Sequence, residues 1–124
     1  MVVEGQHQGG FAQGLGAVLF EEVCYDDDGQ PLTSTLVDYA IPEAPDVPRL
    51  RVVHRETPSA VTGGFRGVGE ASIIATPAVI AGAVADALAP LGVEITSTRL
   101  HAHYLRKAIR AAGYTPDASA FASR

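Results

Sequence analysis

The chain has 124 residues, 47% of them hydrophobic, and its 14 acidic against 9 basic side chains give a net charge of −5. This length suits one domain, in which most of the large aliphatics are expected inside. The scattered Lys and Arg exclude a nucleic-acid footprint, and the single cysteine, Cys24, excludes an internal disulfide, an iron–sulfur site or a Cys-based zinc site within this chain.

Glu4 and Gln6 stand where the apolar stretch of a leader would run, so no signal peptide is expected. Residues 8–20 read as the first helix, because Phe11, Leu15, Val18 and Leu19 fall on one stripe. Gly10 and Gly14 lie four apart and leave that face bare, so another helix or a ligand could approach closely. Five glycines from Gly5 to Gly16 weaken such a helix by about 1 kcal/mol per interior position. A chain that carries this cost has a use for the close approach.

Residues 23–25 and 32–37 read as two strands joined by the Asp26-Asp27-Asp28-Gly29 turn. The three aspartates lack the twelfth-position Glu of a calcium loop and read as a solvated hairpin tip. Pro42, Pro45 and Pro48 then impose an extended loop, and residues 49–54 alternate as a third strand.

Gly63-Gly64-Phe65-Arg66-Gly67-Val68-Gly69-Glu70 follows, with four glycines in seven positions and a carboxylate at the mouth of a helix. A charged side chain between a bare loop and an apolar run is poorly suited to a core and well suited to a general base. Thr76-Pro77 reads as a helix start, with residues 71–75 as a separate turn or short helix. The apolar run to Leu91 contains Pro77, Asp86 and Pro90, which favours a buried helix over a membrane span. Leu100, Tyr104, Ala108 and Ala111 form the inner stripe of a last helix that Gly113 ends. His101 and His103, two apart on that helix, would point to different faces, so no metal site is assigned. Residues 114–124 read as a disordered tail.

The expected fold is α+β: about three helices with a small mixed or antiparallel sheet. No nucleotide-binding glycine fingerprint, phosphate loop or nucleophile elbow occurs. What remains is two glycine-rich segments, each opening a helix whose free N–H groups suit an anionic ligand such as a phosphate, and one poised carboxylate, Glu70.

Three of these motifs carry a resemblance. Val3-Glu4-Gly5-Gln6-His7-Gln8-Gly9-Gly10-Phe11-Ala12-Gln13-Gly14-Leu15-Gly16, followed by Leu19 to Glu22, resembles a signature of the molybdopterin-binding large subunits of the xanthine dehydrogenase, aldehyde oxidase and carbon monoxide dehydrogenase family. Asp38-Tyr39-Ala40-Ile41-Pro42 is similar to that family's Tyr-x-Ile-Pro segment, and Arg66-Gly67-Val68-Gly69-Glu70 resembles its Lys/Ala-Gly-x-Gly-Glu active-site motif. The order and spacing match over about residues 1–88.

The resemblance implies that residues 1–113 are a C-terminal portion of a larger molybdopterin-binding domain. It implies Glu70 as the base beside molybdenum, taking a proton from the nucleophile as an aldehyde, an N-heterocycle or carbon monoxide is oxidised. Gly67, Val68 and Gly69 would approach the cofactor through their backbone, and Gln6 would hydrogen-bond the pterin. Arg66 stands where many members carry Lys and keeps the charge.

The implied cofactor is molybdopterin with molybdenum, in the cytosine dinucleotide form, with iron–sulfur clusters and FAD in partner chains only. The implied partners are the remainder of the molybdenum subunit, the iron–sulfur and FAD subunits and a small-molecule substrate, in the cytoplasm, with no activity in the isolated chain. The competing readings are a catalytically inert truncated remnant or interaction module without cofactor, and a stand-alone small-ligand binder.

Overall fold

A computed structural model of the chain describes residues 1–114. Beyond Tyr114, the expected tail lies outside the described residues. Three helices order the fold: α1 over Val2–Leu19, α2 over Ala71–Leu88, continued by a 3-10 turn at Ala89–Leu91, and α3 over Ala102–Ala111.

α1 begins six residues before the expected start, so Gly5, Gly9 and Gly10 are interior to it and the expected N-terminal site at Gln8 does not exist. Nothing in residues 2–7 breaks a helix, and Glu4 in the first turn complements the positive end of the dipole. The bare glycine face meets α2. A Cβ on Gly14 would stand 2.7 Å from the Cβ and Cγ2 of Thr76, and one on Gly10 would stand 3.3 Å from the backbone N of Ile73. Of the two uses open to this face, the structure adopts helix-to-helix packing.

α2 runs unbroken through Thr76 and Pro77, where a helix start was expected. The Thr76 hydroxyl caps nothing; it donates to the carbonyl of Ser72 within the helix, at 2.6 Å. Pro77 removes the N–H that would have served the carbonyl of Ile73. The packing of Gly10 and Gly14 on Ser72 and Thr76 holds the first turn in place regardless, so tertiary contact overrides the local signal.

The expected sheet does not form among the described residues; only an isolated antiparallel bridge joins Tyr25 to Pro31. The turn between them is as read. Gly29 takes φ +80°, and the Asp26 carboxylate accepts the N–H groups of Asp28 and Gln30 at 3.0 and 2.8 Å. The ladder stops because Pro31 offers no donor and because Leu32 and Val37, 60% and 92% exposed, have no face to pack on. Residues 49–54 likewise find no partner strand and run as irregular chain along α1, with His54 Nε2 3.9 Å from the Glu4 carboxylate.

The apolar core is small: Leu15 and Val18 from α1, with Val93 and Leu100 from the segment after α2. The Leu100 N–H donates to the carbonyl of Val18 at 2.8 Å and ties the returning chain to the end of α1. Burial of most large aliphatics, expected from composition, is not met. Ile74 is 79% and Val79 62% exposed, so α2 lies on the surface of this chain rather than inside it.

Candidate functional site: the loop that opens α2

Gln6 and residues 67–70 come together at one end of the α1–α2 pair. The Ser72 hydroxyl of α2 donates to the backbone carbonyl of Gln6 at 3.3 Å. This contact sets the first turn of α2 beside α1 and brings the Gln6 amide nitrogen to 3.6 Å from the position a Cβ on Gly69 would take. An alanine at Gly69 would make ordinary van der Waals contact with the Gln6 amide. A Cβ on Gly67 would meet nothing within 4 Å, so the backbone there is open.

Glu70 is the N-cap residue of α2, with φ −110° and ψ 11°, and its side chain makes no capping bond. An N-cap carboxylate ordinarily turns back onto the first N–H groups; here it makes no hydrogen bond among the described residues. Among the described residues, no acceptor takes the N–H of Gly67, Val68 or Gly69. An open pocket of about 390 Å³ lies against Gly67, Val68, Gly69, Glu70, Ala71 and Ile74. Gln6 borders this group through Gly69 and is not part of the pocket wall.

The loop before the site is folded by its own contacts. Gly63 and Gly64 take φ +87° and +70°, and the Gly64 N–H donates to the Val61 carbonyl at 2.9 Å. Arg66 turns its guanidinium back onto the carbonyls of Thr57 and Pro58.

Two contacts made by residues of these motifs were not read from the sequence. Tyr39 donates its hydroxyl to the Glu21 carboxylate at 2.6 Å, which pins the Asp38-Tyr39-Ala40-Ile41-Pro42 segment to the end of α1. That hydrogen bond raises the Tyr39 pKa, with burial and the Glu21 charge adding to it. At the same end, Glu22 pairs with Arg99, and its Oε2 faces the Nδ1 atoms of His101 and His103 at 3.8 and 3.6 Å. Burial works to raise the Glu22 carboxyl, but the Arg99 hydrogen bond and the charges of His101, His103 and Arg99 together bring it below its ordinary value.

The expectation that His101 and His103 face apart is corrected. His101 is the N-cap of α3 with ψ 151°, outside the helical spacing, and the two rings stack 5.9 Å apart within 4° of parallel. Among the described residues, no group of three or more His, Cys, Asp or Glu is placed to hold a metal.

An open glycine backbone, a carboxylate without a capping bond and a neighbouring amide thus meet at the N-terminus of α2. A family profile described as a molybdopterin cofactor-binding domain matches residues 1–48. The nicotine 6-hydroxylase large subunit of Paenarthrobacter nicotinovorans is 44% identical over 92 residues, covering 73% of this chain and 11% of that protein. The carbon monoxide dehydrogenase large chain of Hydrogenophaga pseudoflava is 34% identical over 94 residues, 75% of this chain and 12% of that one. The crystal structure of quinoline 2-oxidoreductase from Pseudomonas putida 86 superposes with a TM-score of 0.84 at 49% identity, over 89% of this chain and 14% of that chain.

The chain belongs to the molybdopterin-binding large subunits of the xanthine dehydrogenase, aldehyde oxidase and carbon monoxide dehydrogenase family. It spans 11% and 12% of the length of the two curated relatives named above.

Proposed function

We propose that this chain is the C-terminal part of a molybdenum hydroxylase large subunit, holding one side of the cofactor and supplying the base of the reaction through Glu70. The observation that carries the proposal is the loop at α2: a carboxylate released from capping beside three unpaired backbone N–H groups and the Gln6 amide. The donor set fits molybdopterin, whose oxygens and sulfurs accept hydrogen bonds. Gly67, Val68 and Gly69 offer N–H groups with no side chain in the way, and Gln6 offers an amide that can turn toward a ring. Bound there, the cofactor would supply a two-electron acceptor and an acidified nucleophile.

Glu70 acts by taking the proton from that nucleophile as it attacks an electron-poor carbon. The proposal includes the cytosine dinucleotide form of the cofactor, iron–sulfur and FAD groups in partner chains, a cytoplasmic setting and inactivity of the chain alone. The likeness to a nicotine hydroxylase and a quinoline oxidoreductase supports an N-heterocycle as substrate, with aldehydes and carbon monoxide as the other candidates. The window Ala71–Leu91 is long and apolar enough to cross a membrane by composition. Pro77 and Asp86 within it favour an apolar protein partner instead.

Replacing Glu70→Gln in the assembled full-length enzyme keeps the shape and removes the base. Turnover should fall by about 10²-fold or more, the usual contribution of a positioned general base, with molybdenum content unchanged. Full turnover in that variant would exclude Glu70 as the base.

A further inference from the structure

Arg66 stands next to the site loop, and by sequence it is a positive charge adjoining the place of an anionic cofactor. The structure gives the side chain a different occupation. Its Nε–H donates to the carbonyl of Thr57 at 2.8 Å and its Nη2–H to the carbonyl of Pro58 at 3.0 Å. One edge of the planar guanidinium therefore spans two successive carbonyls across the neck of the loop formed by residues 57–66.

Inside that neck the loop is folded by local contacts. The Val61 N–H donates to Ser59 Oγ at 3.3 Å, Gly64 N–H to Val61 O at 2.9 Å, and the Phe65 ring covers Gly63 so closely that a Cβ there would lie 2.6 Å from Cζ. Across the neck, no backbone–backbone hydrogen bond joins residues 57–58 to 65–66 among the described residues. Pro58 cannot donate one. The guanidinium is thus the polar clasp that holds the two ends of the loop together, and the residue after it is Gly67.

We propose that Arg66 is a positioning residue: by clasping the Thr57 and Pro58 carbonyls it fixes the direction in which Gly67-Val68-Gly69-Glu70 enters α2 and meets Gln6. Its geometry matters, and its charge toward the cofactor does not. Glycines at 63, 64, 67 and 69 leave the chain around Arg66 with no side-chain packing of its own at those positions, so a small release at the neck reaches Glu70 directly. Lysine keeps the charge but has no planar fork and cannot span both carbonyls in this way. The catalytic consequence rests on the proposed role of Glu70; the structural part does not.

The test compares the wild-type full-length enzyme with its Arg66→Lys, Arg66→Ala and Glu70→Gln variants by hydrogen exchange, molybdenum content and steady-state kinetics. Both Arg66 variants should speed exchange at the Val61, Gly64 and Ala71 amides by about tenfold or more, the effect of losing one or both ordinary hydrogen bonds of the clasp, with α1 unchanged. In both, kcat should fall by about tenfold or more at little-changed KM, as for a misplaced catalytic group, with molybdenum retained. Wild-type exchange and rate in Arg66→Lys would show that charge suffices and overturn the proposal. Unchanged exchange in Arg66→Ala, or faster exchange throughout α1, would overturn it equally. If Glu70→Gln kept full turnover, the role of Glu70 would fail while the exchange pattern still judged the clasp.

Discussion

Gly14 shows how a single hydrogen in place of a methyl can hold two helices together. Adding a Cβ there puts it 2.7 Å from Thr76, against side-chain atoms that are themselves buried. Overpacking of this kind costs about 1–3 kcal/mol, more than the roughly 1 kcal/mol that alanine gains over glycine in a helix. Gly14→Ala should therefore lower the unfolding midpoint of the full-length subunit. Gly5, where a Cβ would meet nothing within 4 Å, is the matched control, and Gly5→Ala should leave the midpoint level or raise it. The spacing of Gly10 and Gly14 was legible in the sequence as a demand for close approach. Which partner met the demand was not, because Ser72 and Thr76 lie some sixty residues on.

Tyr39 belongs to the same scale. Its hydroxyl is held neutral by donating to Glu21, which raises its pKa above the ordinary 10.0. The bond's contribution is fully present below that ordinary value and is lost as pH rises through the higher folded value. Tyr39→Phe should remove the pH dependence that this residue adds above pH 10, read by exchange in residues 38–42.

Elements follow local signals where a neighbour supports them and depart where none does. The Asp-Gly turn formed as read, because Asp26 satisfies its N–H groups locally. The strands did not, because a hairpin needs a third strand or a packed face to persist, and neither exists beside residues 23–37 among those described. Thr76-Pro77 carried a strong start signal, yet α2 begins at Ala71 through its docking on α1. A last helix formed where one was expected, but it starts at Ala102, after Leu100, and none of its residues is buried; its anchorage was not legible, because Glu22, Arg99, His101 and His103 meet only after the chain has turned back.

That anchorage gives a prediction for α3. The Glu22 carboxyl has a pKa below its ordinary 4.5, so its contribution is fully present above that value and is lost as pH falls through the lower folded one. Exchange in residues 102–111 should rise over that acid range in the wild type, and Glu22→Gln should flatten the rise. An unchanged acid limb in the variant would show that Glu22 does not anchor α3.

At the scale of the whole molecule, the exposed surface is informative. Among the described residues four buried aliphatics make a small core, while Phe65, Ile74 and Val79 are 76%, 79% and 62% exposed. Only 6% of the Ala71–Leu91 window is buried, although its mean hydropathy is 1.7. A contiguous apolar face of this kind marks an interaction surface. Ile74 and Val79 lie on α2, the helix that Glu70 opens, in a chain spanning 14% of the quinoline oxidoreductase it matches. The isolated chain should self-associate, and Ile74→Glu should shift it toward monomer in sedimentation.

The family was legible because its glycine-rich motifs are local. The shortfall in burial was not, because composition sets how much can be buried and says nothing of whether the covering surface lies in the same 124 residues.

The central claim is that these residues are a working part of a molybdenum hydroxylase. The most direct measurement is the molybdenum content and native mass of the tagged chain isolated from its source cell. The account predicts a large complex carrying about one molybdenum per chain, the single-site occupancy expected where the loop at Glu70 contacts one cofactor. A metal-free species near 12.9 kDa would contradict it.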